Sequence, residues 1–166
     1  MTLLSYPSAQ LPGGHGFEFE MPDGWQAHAV PGALAVVRAP TEVEGFVTNV
    51  VVSRRRISRA VDLRVLVVQS LATAKQRGGN PKMELQKVGH FAGRPTYVQA
   101  LSLDMGDPPR RMAQVMAFFL GPTKDDAEVA DLYTIVGTTP DSQSATAARD
   151  ILGVVGSFRF TGALHT

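Results

Sequence analysis

The chain contains no cysteine. That absence excludes disulfides, thiolate metal sites, a cysteine nucleophile and a lipidated anchor cysteine, and it leaves the redox compartment open. Long apolar runs are missing too. Stretches such as VMAFFLG fall far short of the roughly 20 residues a membrane-spanning helix needs. The N-terminus, MTLLSYPSAQLPGGHG, has no basic segment, and its apolar run stops after Leu4, so it does not read as a signal peptide. These absences predict a cytoplasmic chain with no stable membrane insertion. No sign of charge dominates either: the net charge is +1, so no global field draws the protein to nucleic acid or an acidic membrane. Aromatics are sparse, and there is a single tryptophan, Trp25.

What is present reads as ordinary globular sequence. With 166 residues, 44% of them hydrophobic and 19% charged, the chain suits one domain with a sizeable core. Residues 1–16, rich in Pro, Gly and Ser, read as a flexible N-terminal arm, and 17–166 as a single domain. Phe17, Phe19 and Met21 alternate with Glu18 and Glu20, the pattern of a half-buried strand. Pro22-Asp23-Gly24 supplies a turn, which the sequence places between two neighbouring strands. LAVVRA and GFVTNVVVSRRRI follow as strands, the second nearly continuously apolar from Phe46 to Val52, as in strands covered on both faces.

A helix is expected next, with Val61, Val65, Val68 and Leu71 or Ala72 as its buried stripe and Ser58 or Asp62 as its cap. KMELQKVG, RPTYVQALSLDM, RRMAQVMAFFLG and LYTIVGTTP read as four further strands. A second helix is capped by Asp141 or Ser142 and buries Ala148, Ile151, Leu152 and Val155. GSFRF closes the chain as a short strand. Strands joined by short turns must pair antiparallel. The fold class is therefore α+β: an antiparallel sheet of about six or seven strands with helices packed on its faces.

In this order, FEFEMPDGW, PGALAVV, FVTNVVVSRRRI, GRPTYVQ, AQVMAFFLG, LYTIVGTTP and ILGVVGSFRF span nearly the whole chain. Together they resemble the PsbP-like α/β/α sandwich superfamily, and within it the actinobacterial LpqN/LpqT family and its soluble relatives. The resemblance implies a non-catalytic binding or adaptor domain, chaperone-like or related to secretion or the envelope. The family's lipoproteins carry a signal peptide and a lipidated cysteine. This chain shows neither, so envelope anchoring does not carry over.

Candidate chemistry is thin. His15, His28, His90 and His165 lack metal-ligand spacing, so no metal is expected. VGSFRF lacks the second glycine of a nucleophile elbow, and PGGHG and RGGNP lack the lysine of a phosphate loop. No catalytic residue, no cofactor and no enzyme activity are expected. Asp125, Asp126, Glu128 and Asp131 lack the ligand alternation of a calcium loop and read as a solvated loop. Arg54, Arg55 and Arg56 end a strand, whose alternation sends Arg54 and Arg56 to one face and Arg55 to the other. They suit an acidic protein surface better than nucleic acid, since no aromatics interleave them.

Asn49 inside an apolar strand needs partners, either a ligand or a neighbouring loop's backbone. Tyr97 and Tyr133 fall mid-strand, as buried anchors or as hydroxyls at a groove. Trp25 reads as a structural clasp first and a binding feature second. Trp25, Asn49, Arg54, Arg55, Arg56, Tyr97 and Tyr133 are thus the candidate partner-binding residues. The expected function is recognition of a protein partner, with homodimerisation as one form of it. The alternatives are a small-molecule or lipid carrier and, behind it, a small hydrolase.

Overall fold

The structure, a computed structural model, describes residues 1–6, 16–91, 94–122 and 128–161. Its frame is a seven-stranded antiparallel sheet in the order β3-β4-β5-β9-β8-β7-β6. These strands are β3 (Gln26–His28), β4 (Ala35–Val43), β5 (Phe46–Ser58), β6 (Lys82–Phe91), β7 (Arg94–Met105), β8 (Arg110–Leu120) and β9 (Val129–Pro140). A three-stranded sheet places β2 (Phe17–Met21) between β1 (Thr2–Tyr6) and β10 (Arg159–Phe160). Helix α1 (Leu63–Gln76) packs on one face of the large sheet; α2 (Ser144–Ser157) packs on the other, beside β2. The α+β arrangement expected from the sequence is present.

Alternation sorts each central strand's side chains between two cores. Val50 and Val52 of β5, Ile135 and Tyr133 of β9, and Ala117 and Phe119 of β8 meet α2 and β2. Leu132, Phe118 and Tyr97 point the other way and meet Leu66 and Val67 of α1. In the first core Phe158 joins the layers: its ring lies 5.1 Å from both Phe17 and Phe119 and 5.2 Å from Phe160. Such ring pairs add to the area they bury.

Four local expectations need correction. Thr2–Tyr6, read as part of a loose arm, is a strand, because β2 offers it an antiparallel partner with Leu4 opposite Phe19. Residues 7–15 of that arm lie outside the described residues. The Pro22-Asp23-Gly24 turn forms, closed by Trp25 N–H donating to Pro22 C=O at 3.2 Å. It joins no neighbouring strands, however: it carries the chain from the small sheet to the large one.

The third correction concerns the helices. Helix α1 buries Leu66 and Val67 with half-buried Leu63, Ser70 and Ala74, while Val65 and Val68 are 48% and 65% exposed. Helix α2 buries Ala147, Ile151, Val154 and Val155 and leaves Leu152 45% exposed. Of the candidate caps, Asp62 accepts from Arg64 N–H at 2.9 Å; Ser142 instead donates to Glu44 at 2.6 Å. Fourth, β5 is buried on one face only. Thr48, Val50 and Val52 are covered, whereas Val47, Asn49, Val51 and Ser53 on its other face are half-buried.

Candidate functional site

That half-covered face holds a half-open groove of about 710 Å³ running beside α1. Its geometry follows from the chain path. After β5 ends at Ser58, α1 turns back and runs the length of the sheet, towards the turn between β7 and β8. At the far end Gly79 accepts the Asp104 N–H at 2.6 Å and docks the helix exit on β7. A side chain at Gly79 would press on the carbonyls of Ala74 and Asp104 at 3.1 and 3.2 Å, so glycine allows this close approach. The helix packs on β7, and the trough beside it is lined by residues of β5, β7, β8 and β9.

The trough is amphipathic. Leu66 from α1, Leu101 and Leu103 from β7, and Met116 and Phe118 from β8 make its apolar floor. Ser53, Thr134, Gln69 and Thr73 line it with polar atoms. Behind the floor, Gln99 is fully buried and donates to Ser70 Oγ at 2.9 Å and Met116 Sδ at 3.2 Å, which pins α1 to the sheet.

Charge is distributed unevenly around it. Arg54 and Arg56 point to the opposite face of β5 and share Asp131 at 3.7 and 3.6 Å. Arg55, opposite Leu132, lies on the groove face, and no carboxylate pairs with it among the described residues. At the far end Arg77 follows the last turn of α1, where a cation complements the helix dipole. The acid that lines the groove there, Asp104, is already engaged: Asn80 donates to it at 3.0 Å and Arg111 at 3.2 Å. Those bonds, Asn80's first, hold the Asp104 carboxyl below its ordinary value. Arg77 is thereby left without a carboxylate among the described residues.

The seven candidate residues do not converge. Arg55 and Arg54 border the groove. Tyr97, 7% exposed, supports the floor from beneath α1. Asn49 stands on the same sheet face outside the groove, its amide donating to Val47 C=O at 3.0 Å. Arg56 faces away with Asp131, and Trp25 and Tyr133 are buried in the core on the α2 side. Sequence reasoning missed Arg77, Leu101, Leu103, Met116 and Phe118. Only Arg77 left a signal, as a basic residue at a helix end.

The described histidines, His28 and His90, stand on opposite edge strands; His15, His165, Asp125 and Asp126 lie outside the described residues. Among the described residues no three His, Asp or Glu side chains gather to hold a metal, and no helix is long and apolar enough to cross a membrane. A smaller hollow of about 340 Å³ under the start of α2 is lined by Glu84 and Asp141 and by no basic residue.

No protein-family model matches the chain, nor does any curated protein. Solved structures do match it over almost their full length. LpqN of Mycobacterium tuberculosis, involved in cell envelope biogenesis, superposes with a TM-score of 0.70 at 9% identity, over 97% of this chain and 91% of LpqN. Cyanobacterial PsbP from Synechocystis gives 0.62 at 19% identity, over 96% and 92%. The Saccharomyces cerevisiae Ran-binding protein Mog1p gives 0.59 at 9% identity, over 95% and 94%. The fold is PsbP/Mog1-like. At these identities the likeness concerns the fold alone.

Proposed function

We propose that this chain is a non-catalytic binding or adaptor module that recognises a protein partner through the groove beside α1. The observation that carries the reading is the groove itself: an apolar floor flanked by two guanidiniums, Arg55 and Arg77, that no carboxylate of the described residues neutralises. Unpaired arginines around apolar surface are the composition of recognition sites. The likeness to LpqN, involved in cell envelope biogenesis, and to the Ran-binding Mog1p supports an adaptor role related to secretion or the envelope. On this reading the chain is a cytoplasmic relative of the actinobacterial LpqN/LpqT proteins.

The exposed edge strand β6 is a poorer site for self-pairing. Lys82, Lys87 and the bulge between Met83 and Leu85 are the devices that discourage edge-to-edge contact.

The absence of cysteine makes the test clean, because one engineered thiol is uniquely addressable. Gln69→Cys on the groove wall and Leu152→Cys on the outside of α2 are each labelled with a benzophenone maleimide and irradiated in extract of the source cells. The proposal expects one discrete protein adduct from position 69 and none from 152. Equal adducts from both, or none from 69, overturns it. A second reading, a small-molecule or lipid carrier, is favoured by the groove volume, which lies within the roughly 300–1,000 Å³ of ligand sites. Native mass spectrometry of the purified chain with a bound small molecule would select it.

A further inference from the structure

Arg55 and Arg77, unpaired among the described residues, define by their positions what the groove can hold. Arg55 pairs across the sheet with Leu132, which faces Leu120 of β8. At the other end, Arg77 lies two residues before Gly79, which packs by Leu103, and Leu103 faces Met112 of β8. From Leu120 to Met112 is eight residues, roughly 26 Å of strand at about 3.3 Å per residue. Helix α1, with 14 residues, runs roughly 21 Å alongside. Arg55 and Arg77 therefore belong to opposite ends of a long trough.

We infer that the groove takes an extended acidic–apolar segment of a partner protein, about eight residues long, with a carboxylate side chain near each end and apolar side chains between. This rests on the binding reading above and specifies its partner. Three observations carry it. Among the described residues both arginines lack a carboxylate: Asp131 lies on the opposite face of the sheet with Arg54 and Arg56, and Asp104 is engaged by Asn80 and Arg111. A guanidinium suits a carboxylate in particular, through paired N–H donors in a planar fork.

Extended backbone spans this distance with the fewest residues: about eight cover the trough, where a helix would need about 17. A compact carboxylate reaches one arginine at a time. Finally, Leu66, Leu101, Met116 and Phe118 give the middle of the segment an apolar bed, while Ser53, Thr134, Gln69 and Thr73 stand ready for its backbone.

The test is an array of synthetic eight-residue peptides of randomised composition, probed with the labelled full chain. Binders are then titrated by fluorescence anisotropy against the wild type, Arg55→Ser, Arg77→Ser and the double variant. Arg38→Ser, on the same sheet face outside the groove, is the control. Both groove arginines are exposed, so the variants should fold, and circular dichroism verifies it.

Binders should carry Asp or Glu near both ends. Each single variant should weaken them about tenfold, the double variant about a hundredfold, and Arg38→Ser should leave them unchanged. Replacing both acids by their amides should match the double variant. No binders, binders without acidic ends, or affinities indifferent to Arg55 and Arg77 would each overturn the inference. So would octanoate competing as well as the peptides, or chain self-association occupying the groove. If the peptides fail while position 69 still cross-links one protein, the inference falls and the binding reading stands.

Discussion

Gly137 is where the packing of α2 on the sheet can be tested hardest. It lies on β9 between Val50 of β5 and Val115 of β8, directly under Ile151. A Cβ at this position would sit 2.2 Å from Ile151 Cγ2 and 2.9 Å from Cγ1. Ile151 is 1% exposed and cannot swing into solvent. Gly137→Ala gains about 0.5–1 kcal/mol by restricting the unfolded chain. Overpacking costs about 1–3 kcal/mol, and a contact this short belongs at the upper end.

The net expectation is a loss of about 2 kcal/mol, or roughly 4–8 °C in Tm for a chain of this size. Urea unfolding followed by the fluorescence of buried Trp25, the single tryptophan, reads it directly. Ile151→Ala alone should cost about 2–5 kcal/mol through its cavity. Combined with Gly137→Ala it should cost less than the sum by at least about 1 kcal/mol, because the added methyl enters vacated space. A Gly137→Ala protein as stable as wild type would refute the close approach of α2 to β9.

Helix α1 offers a paired test of its buried face. Val67→Ala should cost about 2 kcal/mol, two methyls plus a cavity, while Val68→Ala should stay within about 0.5 kcal/mol; reversed values in urea unfolding would mean the helix is rotated. Trp25→Ala, followed by circular dichroism in urea because it removes the fluorescent probe, should cost about 3–5 kcal/mol, as for a buried ring, and a change under 1 kcal/mol would return Trp25 to the surface. Asp62 and Asp104 are held below their ordinary value of 3.8, Asp62 chiefly by the Arg64 side chain and Asp104 chiefly by Asn80. Depressed carboxyls stabilise the fold above that value, and the contribution is lost as pH falls through the lowered folded values. Asp62→Asn with Asp104→Asn should therefore flatten the acid limb of a Tm-against-pH curve, and an unchanged limb would contradict these contacts.

Much of the fold was legible because its determinants are local. Short turns force antiparallel pairing, and period-two alternation correctly sent Arg55 to the face opposite Arg54 and Arg56. Partners far apart in sequence were not legible. Thr2–Tyr6 becomes a strand only because Phe17–Met21 lies beside it. The Pro-Asp-Gly corner has local geometry, but no local feature states that the chain changes sheets there. The helix faces were misread for another reason. Helix α1 carries apolar residues on two faces, Val65-Val68 and Leu63-Leu66-Val67, and spacing cannot say which one meets the sheet. The groove was hidden in the same way: its floor comes from β7, β8 and α1, and Arg77 gains meaning only because Asp104 is engaged by Asn80 and Arg111.

Filling the groove tests the central claim most directly. Thr73→Cys on the groove wall, labelled with a bulky maleimide, is added to extract of the source cells and compared with the unlabelled variant by size-exclusion chromatography. The account predicts that unlabelled protein elutes in a larger complex and labelled protein elutes alone. A complex that survives the filled groove would contradict it.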